Sequence, residues 1–301
     1  MENRYEFPLL TIPLRHDRHV VHARQRARDV AAELGFEHQD QIRLATAASE
    51  LARNAYRQNR RRFIAVGGDG TSYEIVNGLF PEAIGSEPPV LGFLPLGTGN
   101  SFLRDFTKEG VDGAMEALIA GRTQPCDVMR MRHRDGIAYY INLLSVGFAA
   151  NVNEMRSHRF AAYGEAGYFF SIFTQLVRLH RRPFPLRVDG QSQPDRRPCL
   201  FLTFNNSKFT GGTMMIAPDA KIDDGLIEYV RWGPIGRVGL LRNLSTLYDG
   251  THTQHPLAER QAVRRIDFDL EGKVDVMVDG EAFSWQCEAL DVLPSALRVV
   301  V

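Results

Sequence analysis

The chain has 301 residues, 36 Lys+Arg against 36 Asp+Glu for a formal net charge of +0, and 44% hydrophobic residues. That length suits two domains, and the apolar share can build a core, which excludes a disordered polyelectrolyte. A chain basic throughout that coats nucleic acid is disfavoured, and no run approaches the ~18 apolar residues of a membrane span.

In chain order, Phe7-Pro8-Leu9-Leu10-Thr11-Ile12-Pro13-Leu14 reads as a short strand weakened by two prolines. Val20, Ala23, Ala27, Val30, Ala31 and Leu34 share one helix face, stopped at Gly35. Ile42, Ala45, Ala48, Ala52 and Ala55 mark a second helix whose alanines suit close packing. Phe63–Val66 is a buried strand by length and residue type. It ends in Gly67-Gly68-Asp69-Gly70-Thr71, and Ser72–Asn77 reads as helix. The unit recurs, with a strand at Val90–Leu94, a turn at Gly97-Thr98-Gly99-Asn100 and a helical start at Ser101–Phe106. Strand, glycine turn and helix, repeated, predict a parallel α/β sheet.

Beyond about residue 124, short strand-like runs dominate: Val128–Arg132, Tyr139–Leu144, Leu186–Val188, Leu200–Phe204, Leu226–Val230, Ile266–Leu270 and Val274–Val278. They predict a second, mostly antiparallel β domain. One helix interrupts it, Gly167–His180, apolar and aromatic with a basic end. It suits a membrane surface, an acyl-chain pocket or simply a buried core. Cys126, Cys199 and Cys287 stand apart with no C-x-x-C, so plain thiols in a reducing cytosol are expected. No signal region follows Met1-Glu2-Asn3-Arg4, so export is not indicated.

Charge is uneven beneath the neutral total. Residues 1–62 carry twelve Arg and eight acids, residues 156–198 eight Arg and three acids, and residues 266–301 eight acids and two bases. A basic surface and an acidic site fit together in such a chain.

Three motifs carry chemistry. In Gly67-Gly68-Asp69-Gly70-Thr71, missing Cβ atoms let backbone N–H groups approach a phosphate chain, and the following helix offers its positive end. Thr71 adds a hydroxyl, and Asp69 orients the loop or reaches a metal-bound water. Two such turns on neighbouring parallel strands converge on one crevice. Asp279-Gly280-Glu281 places carboxylates at i and i+2, on one face if the segment stays extended, where their repulsion suits a general base. From spacing alone a solvated D-G hairpin turn is the stronger reading. Asp219-Ala220-Lys221-Ile222-Asp223-Asp224-Gly225 serves equally as a hard-cation loop or a turn between strands.

These motifs, in this order, resemble the diacylglycerol kinase catalytic family of bacterial lipid kinases and sphingosine and ceramide kinases. The matching residues are Gly67–Thr71 with Glu74 and Asn77-Gly78; Leu94–Asn100; Asn142 with Ser145–Phe148; Phe209–Gly212 with Ala217–Ala220; Asp223–Leu226; and Asp279-Gly280-Glu281. They span roughly residues 61–301. The resemblance implies an α/β nucleotide-binding domain, similar to NAD kinases and phosphofructokinases, over residues 61–124. It implies a β-sandwich domain over 125–301, with its C-terminal strand returning to the first domain. It implies ATP-dependent phosphoryl transfer to a lipid hydroxyl. Gly67–Thr71, Glu74, Gly97, Thr98 and Asn100 would then attend the nucleotide, and Glu281 would take the proton with Asp279 beside it. Asp224 would hold Mg2+ with backbone oxygens of Lys221 and Leu226. It further implies a lipid substrate met at the membrane surface by a cytoplasmic protein without a transmembrane segment, and leaves a homodimer open. The acceptor lipid stays open too.

Residues 1–60 depart from that pattern, since the family's opening strand with its Asn-Pro turn is missing. Ala23–Arg28 through Leu34–Phe36 to Ala45–Ala55 resembles the anti-sigma-factor serine kinases, which are histidine-kinase-like ATPases. Glu50 and Asn54 match their E-x-x-x-N helix, but no D-x-G-x-G loop follows. The chain thus reads as a fusion joined near Arg57–Arg62, with a protein partner open to residues 20–58. Two other function classes stand beside the lipid kinase: a catalytically impaired nucleotide- or lipid-binding regulator, and a soluble-metabolite kinase such as NAD kinase. The last ranks lowest because the Asp279–Glu281 and Asp223–Leu226 motifs belong to the lipid branch.

Overall fold

The computed structural model describes residues 38–97, 99–147 and 182–301. The predicted elements at 7–14, 20–34 and 167–180 lie outside the described residues. Contacts divide the chain into two compact units, Met1–Ala47 and Ala48–Val301, and everything below concerns the second.

Helix α1 (His38–Arg57) ends in that unit, and β1 (Arg62–Gly67) and α2 (Asp69–Leu79) follow. Helix α2 contains Gly70 and Gly78, each costing roughly 1 kcal/mol against alanine in a helix. Its Val76 and Leu79 are fully buried, worth roughly 1.5–3 kcal/mol each, so packing rather than propensity sustains it. Gly78 is required by proximity: a Cβ there would overlap the Ser49 carbonyl of α1 and touch Ala52. The alanine face of α1 therefore packs on α2, with Ala52 and Tyr56 in the core shared by Ala65, Ile75 and Phe80.

Strand β2 (Val90–Pro95) pairs parallel with β1, Arg62 opposite Val90 through Gly67 opposite Pro95, as the repeated strand–turn–helix unit predicts. A 3-10 turn (Phe102–Asp105) and α3 (Val111–Ala120) follow, the latter capped by Gly121 at φ +64. Next come β3 (Thr123–His133), β4 (Gly136–Tyr140) and β5 (Leu143–Gly147). After residue 182 come β6 (Arg182–Pro183), β7 (Leu186–Val188), β8 (Pro198–Cys199), β9 (Phe201–Asn205), β10 (Phe209–Thr210), β11 (Met214–Met215) and β12 (Ile227–Trp232). Short helices α4 (Arg237–Arg242) and α5 (Thr246–Asp249) lead to β13 (Ala258–Val263), β14 (Arg265–Phe268), β15 (Val274–Val278), β16 (Glu281–Trp285) and β17 (Cys287–Val300).

Two sheets result. One has the order β1-β2-β17-β14-β7, with β3 on β17 and β4 on β3. The other, wholly antiparallel, runs β13-β12-β9-β5-β15-β16. A common core of Met129, Met131 and Tyr140 from the first and Leu144, Val146, Leu202 and Phe204 from the second joins them as a sandwich. The first sheet runs on without a break across residue 125. Its organiser is β17, which lies antiparallel to β3 and β14 and then, past a bulge at 293–297, parallel to β2 through Arg298 and Val299.

The run Tyr139–Leu144 is not one strand. It breaks at Ile141-Asn142, sending β4 to one sheet and β5 to the other, and the cause is a buried carboxylate described below. Strands β13, β16 and β17 and helix α3 had no clear mark in the sequence pattern.

Candidate active site

Because β1 and β2 are parallel neighbours, their glycine turns leave the sheet at the same edge. The Leu96 N–H donates to the Gly67 carbonyl at 3.0 Å. A Cβ on Gly97 would overlap the Cα of Gly68, so the two turns touch backbone to backbone. A Cβ on Gly67 would overlap the Thr71 hydroxyl, which folds back over it. Asn100, at φ +46, donates through Nδ2 to the Gly97 carbonyl at 2.8 Å. Asp69, in the first turn of α2, accepts from the N–H of Ser101 (2.9 Å, Oδ2) and of Phe102 (3.3 Å, Oδ1). Burial holds its carboxyl above the ordinary range, against those donors. Of the two roles considered for Asp69, the geometry gives it the first: it straps one turn to the other. Thr98 lies outside the described residues.

The Asp279-Gly280-Glu281 motif meets this edge from the second sheet. Strands β15 and β16 form a hairpin with a two-residue loop, Asp279 at φ +46 and Gly280 at φ +91, and Val278 opposite Glu281. Two left-handed residues make the I′ geometry that D-G favours. The expectation that Asp279 and Glu281 share one extended face is therefore corrected, and so is the solvated turn. Asp279 is 2% exposed. Its carboxylate accepts from the N–H groups of Ile141 (3.1 Å), Asn142 (3.1 Å) and Leu143 (3.0 Å), which is what breaks the chain between β4 and β5. Burial pushes its carboxyl up to about 7 against the pull of these donors, and Asp69 adds to the rise. Asp279 is thus a buried anchor of the loop rather than a reactive partner.

Glu281 projects the other way, onto the first turn of α2, and a Cβ on Gly70 would overlap its Oε1. Burial raises its carboxyl. Glu74, one turn further along α2, is raised by burial and then by Glu281. Burial, with Asp279, Glu74 and Glu281, pushes the Tyr73 phenol far up as well. Asp69, Glu74, Asp279 and Glu281 therefore form an anionic corner beside a helix N-terminus. Among the described residues no ion pair neutralises any of the four. Asn77, further along α2, locks the helix to β4, donating to the Tyr139 carbonyl (2.8 Å) and accepting its N–H (2.9 Å).

The acidic loop at 219–226 is held differently. Asp224 accepts the Leu226 N–H at 3.0 Å in a local turn, and Asp219 pairs with Arg260 at 3.0 Å. Lys221, Asp223 and Asp224 are exposed. Behind the loop lies Asp127, fully buried, accepting from Gly225 N–H (2.6 Å) and Ser295 N–H (2.7 Å). Burial raises its carboxyl, and Asp224 and Asp223 add to the rise. Asn206 connects the two acidic regions, donating to the carbonyls of Asp127 (3.0 Å) and Ile141 (2.8 Å). Sequence reasoning missed Asp127 and Asn206. A charged residue between Cys126 and Val128, inside an apolar run, was the available signal for the first.

Comparisons with known proteins bear on the family and the fold. The diacylglycerol kinase catalytic domain matches residues 17–131, and the YegS C-terminal NAD kinase beta sandwich-like domain matches residues 142–301. The chain is 30% identical over 234 residues to a diacylglycerol kinase of Staphylococcus aureus, covering 76% of this chain and 71% of that protein. It is 25% identical over 284 residues to a diacylglycerol kinase of Mycobacterium tuberculosis, covering 93% and 87%. The crystal structure of a diacylglycerol kinase from Bacillus anthracis shares the fold at TM-score 0.61 and 17% identity, covering 85% of this chain and 81% of that one. The first match begins at residue 17, so it takes in the helices that resemble an anti-sigma-factor kinase, and that second resemblance gains no support. On the catalytic-domain and β-sandwich matches together, the chain belongs to the diacylglycerol kinase family of bacterial lipid kinases.

Proposed function

We propose that the protein transfers the γ-phosphoryl group of ATP to the hydroxyl of a diacylglycerol- or sphingoid-like lipid. The observation that supports this best is Glu281. It is the most exposed carboxylate of the anionic corner, half-covered where it rests on the helix turn that follows the first glycine turn. There it accepts the proton of the attacking hydroxyl, and its raised carboxyl suits a general base. Asp279 holds the loop that aims it. The close-packed glycines 67, 68, 70 and 97, with Thr71, Thr98 and Asn100, offer backbone donors to the phosphates, and the α2 N-terminus favours their charge.

The donor chemistry fits a divalent ion. Among the described residues no three His, Cys, Asp or Glu side chains converge as a metal cage. An ion at the corner would draw on nucleotide oxygens and water as well as these carboxylates, as magnesium sites usually do. Asp224, with the Lys221 and Leu226 carbonyls, would hold the magnesium ion that the family resemblance implies. When bound, magnesium supplies charge neutralisation for the transferred phosphoryl group. The reading keeps residues 61–124 as the nucleotide side and 125–301 as the acceptor side. No helix among the described residues is long and apolar enough to cross a membrane. In this reading the lipid is met at the bilayer surface.

The test is labelled-ATP transfer to a panel of lipids in mixed micelles with magnesium. Glu281→Gln abolishes turnover while ATP binding survives, and retained turnover refutes the assigned base. ATP binding by the wild type without transfer to any lipid establishes the regulator reading instead. Phosphorylation of NAD overturns the lipid acceptor.

A further inference from the structure

The hairpin β10–β11 belongs to neither large sheet. Its tip, Gly211 and Gly212, has φ +56 and +90. The Gly212 N–H donates to the Ser101 hydroxyl at 3.0 Å, and a Cβ at Gly212 would lie 3.4 Å from the Gly99 carbonyl. The tip therefore rests on the second glycine turn. Ser101 is tied inward as well, since its backbone N–H donates to Oδ2 of Asp69 at 2.9 Å.

A second tie lies at the other end of the same segment. The Lys208 N–H, just before β10, donates to Oδ2 of Asp105 at 3.2 Å. Oδ1 of Asp105 is buried without a hydrogen-bond partner. The 3-10 turn that follows the second glycine turn is thus bracketed by the hairpin, at Ser101 and at Asp105. The hairpin's own base is fixed elsewhere, since Met214 and Ile216 share a separate core with Trp232, Leu240 and Leu247.

We propose that this hairpin is a latch that sets the position of the second glycine turn, with Ser101 and Asp105 as its positioning residues. The inference rests on the phosphotransferase reading above. Glu281 is carried by a different hairpin, β15–β16, so releasing the latch displaces the phosphate-binding turn and leaves the base in place. The effect falls on nucleotide affinity and not on the chemical step.

The test uses the full chain with Ser101→Ala and Asp105→Ala. Each raises KM for ATP roughly tenfold, as a small misplacement of binding groups does, while kcat stays within about threefold. Asp105→Asn, which keeps an acceptor for the Lys208 N–H, restores most of the affinity. Backbone hydrogen exchange over residues 97–102 and at Gly212 quickens in both alanine variants. Unchanged exchange there overturns the latch whether or not the protein binds ATP. So does an equal loss in kcat and kcat/KM with KM unmoved. Failure of the wild type to bind ATP, with exchange quickened as expected, refutes the nucleotide reading and leaves the latch standing.

Discussion

The corner at Asp279-Gly280-Glu281 and the loop at Asp223-Asp224-Gly225 look alike in sequence, each a pair of carboxylates beside a glycine. The fold treats them oppositely. In the first, one carboxylate is buried on three N–H groups and its neighbour is turned out beside a helix N-terminus. In the second, both carboxylates stay at the surface, and a distant residue, Asp127, supplies the buried acceptor. Acidic texture marks a region, but the N–H groups that need an acceptor decide which carboxylate anchors and which stays free to react.

The sharpest way to break this contrast is to remove the free carboxylate. Glu281→Gln lowers kcat by roughly 100–10,000-fold, the usual contribution of a positioned base, with little change in unfolding free energy. Asp279→Ala does the reverse. It orphans three buried N–H groups at roughly 1–3 kcal/mol each, so denaturant titration shows a loss of about 3 kcal/mol or more. Asp127→Ala strands two such groups and costs about 2 kcal/mol or more by the same measurement. If Asp279→Ala is as stable as wild type but inactive, the two carboxylates share the chemistry and the contrast fails.

Gly70→Ala separates stability from activity most finely. Helix propensity favours alanine by roughly 1 kcal/mol, and the overlap is with the flexible end of Glu281. Thermal unfolding is therefore unchanged or slightly improved, while turnover falls by roughly 10–100-fold because the base is displaced.

The smallest effect is a pH slope. Burial, opposed by Lys208, pushes the Asp105 carboxyl up to about 6, above the ~3.9 of an unfolded aspartate. The fold thus favours its neutral form. Its contribution is full below about pH 4 and is lost as pH rises toward about 6. Asp105→Asn, neutral throughout, gains on wild type in melting temperature over that interval. A constant difference between the two refutes the shift.

Much of this was legible in the chain. Apolar runs ending in glycine turns placed β1, β2 and their convergence, since strand period and glycine backbone freedom are local properties. Val274–Val278 was bounded correctly because its apolar run meets a strong turn signal. What failed was non-local. Tyr139–Leu144 reads as one strand because nothing within it shows that Asp279, far along the chain, will claim its N–H groups. Strand β17 went unread because Pro294 and a left-handed Ser295 interrupt it, and only Asp127, accepting the Ser295 N–H, makes that interruption a bulge. Asp279 was found by its motif but given the wrong environment. Its burial depends on the Ile141–Leu143 backbone closing over its carboxylate, which spacing does not encode.

The parallel pairing of β17 with β2 has a consequence for biosynthesis. Arg298 lies opposite Val90, about two hundred residues later in the chain. During translation the two glycine turns emerge early, yet the strand that flanks β2 on its inner side leaves the ribosome only after nearly all of the sandwich. Loop-closure entropy over such a span makes that step slow. A nascent chain halted before residue 298 therefore carries both glycine turns and still lacks the strand that completes the sheet beside β2.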